Sequence, residues 1–318
     1  MDALPDARFI AASGPALPHA RTELPLRWRR LPDIRAAAWG LTGLTLLMAT
    51  ALCQAWSLEV PPRDLLPPAG LLAVLMGLAA YYRRRREAAF VLSLTSLAQT
   101  VAFVTCFIVL MYAVATSARP LIDTQLAAFD AWCGITVPVV REWSAAHPLF
   151  NLLLNFAYDT LLYQTALVLI ALGLAGDRSA LEGFLASFML SALTSLVLFV
   201  LFPAEGPFVT YGLNPSLDQA QFLDHFRALR DGTRTLVTYR GAEGLITFPS
   251  FHVAWAITIT WSLRNCRRSL FLTVLTLNLL VIVSTMSTGW HYFADVLGGT
   301  VVATLSIVAA NRFRARRL

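Results

Sequence analysis

The sequence predicts an all-α membrane protein, a helical bundle of about eight transmembrane spans. Two observations lead to this fold class. Hydrophobic residues make up 57% of the 318 residues and charged residues only 14%, so the chain carries more apolar surface than a soluble globule of this length buries. The apolar residues also gather into segments that reach or approach the roughly 20 residues needed to cross the hydrocarbon core.

Eight such segments follow one another along the chain. Residues 120–143, between the third and the fourth, mix acidic and apolar positions, which predicts an amphipathic stretch along the membrane interface. Residues 203–248 form the longest polar connection, and a long connection in a compact protein is usually functional. The second and sixth segments are the shortest of the eight, which cover residues 37–56, 67–82, 88–116, 149–174, 181–202, 249–263, 270–287 and 292–310.

The arginines predict how the chain is oriented. All 25 basic residues are arginine, and with the N-terminus inside, 18 of them fall on inner segments and 7 on outer ones. Because cytoplasmic loops retain positive charge, we expect both termini in the cytoplasm and residues 203–248 on the outer face. We expect a multi-pass protein of the bacterial inner (plasma) membrane. Its expected partners are lipids and not nucleic acid.

Two further sequence features limit the possibilities. Residues 1–32 hold no apolar segment followed by a small-residue cleavage site, so the first span is expected to act as a retained signal-anchor. The four cysteines show no CxxC spacing, and neither a disulfide framework nor a zinc site is predicted.

The first group of residues suited to chemistry lies where the sixth span begins. Pro249 fits the first turn of a helix, where its missing N–H costs nothing. A helix N-terminus offers free N–H donors and the positive end of the helix dipole, and both favour a phosphate. Ser250 adds a hydroxyl and His252 a proton donor. The sequence therefore predicts an anion site with a proton donor beside it.

A second group lies where the last span begins. His291 and Asp295 are four residues apart and so share one face of a helix. A carboxylate bonded to one ring nitrogen raises the basicity of the other, as a nucleophilic imidazole requires. The alternative is that His252 and His291 anchor the chain at the interface, as Trp290 does. Ionisable groups at this depth are costly and usually functional, which favours a catalytic pair.

These residues resemble a known family. Pro249-Ser250-Phe251-His252 resembles the Pro-Ser-Gly-His motif of the type 2 phosphatidic acid phosphatase superfamily, and His291 with Asp295 resembles its His-x-x-x-Asp motif. Around both motifs, the sequence resembles most the branch of inositol phosphorylceramide synthases, which are inositolphosphotransferases. The resemblance implies a six-span core. The expected organisation is an N-terminal tail at 1–36, two additional spans at 37–87, the catalytic core at 88–311 and a basic tail at 312–318.

The resemblance also implies roles. His291 would attack phosphorus to give a phosphohistidine, Asp295 would orient it, and His252 would protonate the leaving oxygen. Ser250 and backbone N–H groups, with Gly289 as a candidate, would hold the phosphoryl oxygens. No metal or organic cofactor is implied.

The chain departs from the family pattern in its cations. It contains no lysine, and the place of the first motif reads Phe-Pro-Ala-Glu-Gly-Pro-Phe at residues 202–208. Thr285 stands six residues before His291, where the family has an arginine. A dianionic phosphomonoester calls for more positive charge than a phosphodiester does. A phosphodiester lipid is therefore the favoured donor.

Other polar residues are weaker candidates for binding. Arg240 is the favoured replacement cation in the long connection, ahead of Arg227, Arg230 and Arg234. The alternative for each of the four is an arginine that only contacts solvent. Glu205 and Glu243 bind a polyol head group or face water. Asp159, expected to be buried in the fourth span, either binds an acceptor hydroxyl or packs against polar groups of another span.

Three hypotheses follow. The first is a lipid phosphotransferase or phosphoesterase that acts on a lipid phosphate ester at the outer face, with an alcohol or water as acceptor. The second is a phosphatase of phosphatidate or of an isoprenoid phosphate. The third is a catalytically silent protein that binds or moves lipids, which the intact Ser250, His252, His291 and Asp295 argue against.

Overall fold

The computed structural model describes residues 34–239 and 241–315. Within these ranges the chain forms thirteen α-helices and no β-strand, apart from an isolated bridge between Glu59 and Leu236. The helices are α1 (Ile34–Ala55), α2 (Pro62–Arg84), α3 (Ala88–Ala115), α4 (Asp123–Cys133), α5 (Val137–Ala146), α6 (Pro148–Tyr158), α7 (Leu161–Leu174), α8 (Arg178–Leu201), α9 (Pro207–Thr210), α10 (Leu217–Arg230), α11 (Phe251–Ser262), α12 (Arg268–Ser287) and α13 (Phe293–Ala315).

The predicted all-helical membrane fold is confirmed. Six helices, namely α1, α2, α3, α8, α12 and α13, are long and apolar enough to cross a bilayer, and the pair α6–α7 meets the same criteria when joined. Each of the eight predicted segments contains at least one helix. The sixth contains α11, whose 12 residues extend about 18 Å, against about 30 Å of hydrocarbon. The count of eight spans therefore stays a prediction.

The fourth predicted span is broken in the middle. Helices α6 and α7 meet at an angle of 54°. At the break, the hydroxyl of Thr160 donates to the carbonyl of Ala157 at 2.6 Å and accepts from the amide of Gln164 at 2.9 Å. Side-chain bonds of this kind compete with the backbone ladder and bend helices. Asp159 consequently lies at the break, where its side chain is exposed, and the expectation of a buried carboxylate was wrong.

The predicted interfacial stretch contains α4 and α5, with 11 and 10 residues. Both are too short to cross the bilayer. Trp132 and Val139 are exposed on these helices, whereas Asp123 is half-buried and Asp130 is fully buried. Apolar groups outside and carboxylates inside are compatible with a position at the interface, which remains a prediction.

The long polar connection is folded and attached to one end of the bundle. Ser216 begins α10 with a capping box, in which its side chain accepts from the amide of Gln219. The Gln219 side chain also donates to the carbonyl of Thr288 at 3.1 Å, between α12 and α13. Glu59 exchanges backbone bonds with Thr235 and Val237 at 2.7 and 2.9 Å. The bond from Gln219 to Thr288 places the connection next to the loop that carries His291.

Helix α11 lies against α8, α12 and α13. Gly299 of α13 makes the close approach possible, since a Cβ atom there would stand 2.3 Å from the carbonyl oxygen of Ser250. The start of α11 and the start of α13 therefore touch through backbone atoms. This contact brings the two predicted catalytic segments together.

Candidate active site

His291 lies in the short loop between α12 and α13, and its side chain is only 3% exposed. Its Nδ1 atom is 2.9 Å from the carbonyl oxygen of Thr247 and 3.3 Å from Oδ2 of Asp295. A carbonyl oxygen can only accept, so Nδ1 carries the proton and Nε2 keeps its lone pair. The expected carboxylate contact exists, but the shorter bond goes to Thr247, which the sequence did not indicate.

Asp295 is fully buried in the first turn of α13. Its Oδ2 accepts the backbone N–H of Tyr292 at 2.8 Å, and its backbone carbonyl accepts the N–H of Ser250 at 3.1 Å. Its Oδ1 has no hydrogen-bond partner among the described residues. The carboxylate of Asp295 therefore holds the His291 loop, and its backbone carbonyl holds the start of α11.

Burial lowers the pKa of His291 to about 4, and the bond to the Thr247 carbonyl opposes this shift only in part. The imidazole is therefore neutral near pH 7. A neutral ring with its proton on Nδ1 has the form that a nucleophile at Nε2 requires.

His252 lies in the first turn of α11, opposite His291. The two ring centroids are 5.8 Å apart, and the planes are inclined by 59°. Tyr158, at the end of α6, stacks on His252, with ring centroids 4.6 Å apart and planes inclined by 23°. The fold thus brings together the three residues that the sequence nominated as catalytic, and Tyr158 joins them as a residue that sequence reasoning missed.

Ser250 occupies a different place from the expected one. It is the N-cap of α11, and its Oγ accepts the N–H of Val253 at 3.3 Å. Pro249 precedes the cap and does not lie in the first turn, because the helix begins two residues later than predicted. The hydroxyl oxygen of Ser250 satisfies the helix end, and its side chain is fully buried.

Asp130 of α4 also supports the His291 loop. Its two carboxylate oxygens accept the N–H groups of Phe293 and Ala294 at 2.8 and 2.9 Å, so it caps α13 from another helix. Burial raises the pKa of Asp130, and the two N–H donors oppose this rise. The sequence showed an acidic position here, but no signal for its partners, which lie more than 160 residues away.

Asp123, the first residue of α4, performs a similar role. It accepts the N–H groups of Glu205 and Gly206 at 2.9 and 2.8 Å, and the hydroxyl of Tyr292 donates to it at 3.0 Å. Burial raises the pKa of Asp123 as well. Two carboxylates spaced by seven residues on α4 thus hold the segment of the predicted first motif and the start of α13.

Two cavities lie near His252: His252 itself lines one, its stacking partner Tyr158 lines the other, and His291 is among the lining residues of neither. The polar cavity has a volume of about 380 Å³, and Tyr158 and Trp290 form part of its wall. Its other lining residues are Arg141, Ser144, Ala145, Asn151, Asn155, Asp159, Ser216, Asp218, Ser287 and Thr288.

The apolar cavity has a volume of about 240 Å³, and its wall includes His252 and Glu243. Its remaining lining residues are Phe103, Val104, Phe107, Ile108, Met111, Phe188, Ala192, Ala242, Gly244, Ile246, Phe251 and Trp255. Burial raises the pKa of Glu243. The stacked rings of Tyr158 and His252 stand between the two cavities, since each ring borders one of them.

Three of the four candidate replacement cations, Arg227, Arg230 and Arg234, do not line these cavities. Arg227 pairs with both carboxylate oxygens of Glu205 at 2.6 and 3.0 Å, so Glu205 is neither a free head-group ligand nor solvated. Arg230 donates to the backbone carbonyls of Ser117 and Arg119. Arg234 lines neither cavity.

Two more candidates are Arg240 and Gly289. Arg240 lies outside the described residues. Gly289 adopts a φ of +83°, and its N–H donates to the carbonyl of Met286 at 2.9 Å. That N–H is therefore engaged in the turn and not free to bind a phosphoryl oxygen. Gly289 matters through its lack of a side chain.

Comparison with known proteins gives a family match. No curated protein and no solved structure matches the chain. The family model described as the PAP2 superfamily matches residues 124–309, which is more than half of the chain and extends from α4 into α13. The match includes His252, His291 and Asp295, and begins after α3, later than the expected residue 88. The chain belongs to the PAP2 superfamily, whose members are phosphatases and phosphotransferases.

Proposed function

We propose that this protein is a membrane lipid phosphotransferase that cleaves a phosphodiester lipid through a phosphohistidine on His291. The observation that carries the proposal is the His291 ring, whose Nδ1 is bonded to Thr247 and Asp295 while a second histidine lies 5.8 Å away. A neutral ring fixed through Nδ1 presents Nε2 as the nucleophile. Superfamily membership supports the same class of chemistry.

The reaction has two steps. In the first, Nε2 of His291 attacks phosphorus, the N–P bond forms, and the bond from phosphorus to the leaving oxygen breaks. The anionic phosphate of the bound substrate favours the protonated form of His252, which gives its proton to that oxygen, and Asp295 offsets the positive charge of the phosphorylated ring. In the second step, neutral His252 takes the proton of an acceptor alcohol or water. The acceptor oxygen attacks phosphorus and the N–P bond breaks, which restores both histidines.

The two cavities support a lipid as the substrate. The apolar cavity suits an acyl chain, and the polar cavity, with side-chain amides, hydroxyls and two carboxylates, suits a head group that carries hydroxyls. His252 lines the apolar cavity, and its stacking partner Tyr158 lines the polar one. Asp159 lines the polar cavity and is a candidate ligand for a hydroxyl of the head group or of the acceptor.

The scarcity of positive charge supports a phosphodiester over a phosphomonoester. Thr285, at the place of the family arginine, is fully buried, and its hydroxyl donates to the carbonyl of Ile282 at 2.7 Å. Within the described residues the polar cavity is lined by one arginine and the apolar cavity by none. A monoanionic donor needs less compensation than a dianionic one. The inositolphosphotransferase-like branch is part of this proposal.

The proposal includes a topology. The catalytic core is residues 88–311, both termini are cytoplasmic, and the site opens to the outer leaflet of the plasma membrane. The arginine distribution supports this orientation. A cysteine introduced between residues 213 and 232 is then expected to react with an impermeant thiol reagent added to intact cells.

The test is a lipid assay on detergent-purified protein. Labelled phosphatidate and labelled phosphodiester lipids with different head groups are offered in parallel, with and without acceptor alcohols. The proposal expects a new lipid, or a released head-group phosphate, from a diester. His291→Gln is expected to abolish turnover, and His147→Gln, the same change at a histidine outside both cavities, to leave it unchanged.

Other outcomes would overturn the proposal. Inorganic phosphate released from phosphatidate, with diesters untouched, would make the protein a phosphomonoester phosphatase. Turnover retained in His291→Gln would exclude the phosphohistidine route. No turnover of any lipid by the wild type, with intact binding, would favour a silent lipid-binding protein.

A further inference from the structure

Arg141 of α5 stands beside the catalytic loop without a counter-ion. It is the one arginine that lines either cavity within the described residues. Its Nη1 atom is buried and has no hydrogen-bond partner among those residues. Asp159 and Asp218 line the same cavity, yet neither forms an ion pair with it.

Arg141 is only half-buried, but its buried Nη1 donor is unfavourable without a partner, because that N–H group has lost water and gained nothing in exchange. Such a group is expected where a ligand completes its bonding. We propose that Arg141 binds the phosphoryl oxygens of the substrate and replaces the cations that this chain lacks. The inference rests on the proposed function and adds to it the residue that binds the anion.

The position of Arg141 relative to His291 supports this role. A Cβ atom at Gly289 would lie 3.0 Å from Nη1 and 3.4 Å from Cδ of Arg141, so the guanidinium stem packs on the backbone two residues before His291. Trp290, the next residue, lines the same cavity. Glycine at 289 both adopts the positive φ and leaves room for the arginine.

The origin of Arg141 explains why the motifs do not contain it. Helix α5 packs against α12, the helix that carries Thr285. An arginine on α5 can therefore approach the region that an arginine at 285 would serve, although the two positions are far apart in sequence. The guanidinium is planar and always charged, and it can form two parallel bonds to a phosphate. A single such group matches the single charge of a phosphodiester.

The test measures binding without turnover. His291→Gln serves as the parent, so that the ligand stays intact, and it is titrated with dihexanoyl phosphatidylglycerol and with the neutral dihexanoylglycerol. Tryptophan fluorescence is the readout, because Trp290 lines the cavity. Adding Arg141→Gln is expected to raise the Kd for the phospholipid about 10- to 100-fold and that for dihexanoylglycerol less than about twofold.

Two further variants complete the design. Arg141→Lys is expected to give an intermediate Kd and guards against misfolding of the glutamine variant. Arg119→Gln, at an exposed position outside both cavities, is expected to match the parent. Equal changes in Kd for the two lipids on Arg141→Gln would overturn the inference, as would a parent that binds both lipids equally. Turnover retained in the His291→Gln parent would refute the proposed function. The effect of Arg141→Gln on the two Kd values would still test the inference.

Discussion

The phenol ring of Tyr158 stacks on the imidazole of His252, with centroids 4.6 Å apart and planes inclined by 23°. Tyr158 ends α6 at the bend before α7, so the break in the fourth predicted span supplies the surface that supports His252. The ring centroid of His291 lies 5.8 Å from that of His252. The bend is therefore part of the site.

Removing the ring of Tyr158 is expected to loosen His252. Tyr158→Ala should lower kcat about 3- to 10-fold, the range that loss of one stacked aromatic pair implies, with little change in KM. Tyr158→Phe keeps the ring and should retain most of the activity. Steady-state assays with the diester donor measure both. Equal losses in the two variants would show that the hydroxyl, not the stack, is what matters.

Asp130 is expected to stabilise the catalytic loop as the cap of α13. Asp130→Ala leaves the N–H groups of Phe293 and Ala294 without acceptors and should cost about 1 to 2 kcal/mol of folding free energy, together with activity. Asp130→Asn keeps one acceptor and should lie between the alanine variant and the wild type. Thermal unfolding in detergent measures the order, and an alanine variant as stable as the wild type would contradict this role.

His291 should make stability depend on pH in a defined window. The pKa of His291 is about 4 in the folded protein and near 6.5 when unperturbed, so between these values only the unfolded chain binds the proton. Stability is therefore expected to fall as the pH drops from about 6.5 toward 4, and to be independent of His291 above that window. Unfolding midpoints of wild type and His291→Gln, compared from pH 7 to 4, test this. Parallel curves would contradict a lowered pKa.

Gly299 is expected to be essential for the contact between α11 and α13. Its Cβ would stand 2.3 Å from the carbonyl oxygen of Ser250, so Gly299→Ala should separate the two helix starts and lower both stability and activity. Gly77→Ala is the matched control, because nothing lies within 4 Å of that Cβ on α2. Alanine favours a helix over glycine by up to about 1 kcal/mol, so the control should be as stable or more stable. Equal behaviour of the two variants would exclude the tight crossing.

The sequence predicted the helices well, because long apolar runs have few alternatives in a membrane protein. It did not predict the break at Asp159, since the apolar composition of residues 149–174 conceals a local competition for backbone bonds. It placed Pro249 inside a helix that begins at Phe251. Helix boundaries depend on caps, and the cap here is Ser250.

The sequence indicated the motif residues of the candidate site, but not the residues that support them. His252, His291 and Asp295 carry local signals, namely helix starts and a spacing of four residues. Asp130 binds N–H groups more than 160 residues away, and Arg141 reaches the site from α5. Such partners arise from the fold alone. The sequence also did not indicate the partner of Arg227. This arginine, a candidate replacement for the missing motif cations, pairs with Glu205 instead.

The most direct test of the central claim is to trap the covalent intermediate. Wild-type protein and its His291→Gln and His252→Gln variants are incubated with a diester lipid labelled in its phosphate, quenched in alkali and analysed by peptide mass spectrometry. The account predicts an acid-labile phosphoryl group on His291 in the wild type and none in His291→Gln. Turnover of the same lipid with no label on His291, or with label elsewhere, would contradict it.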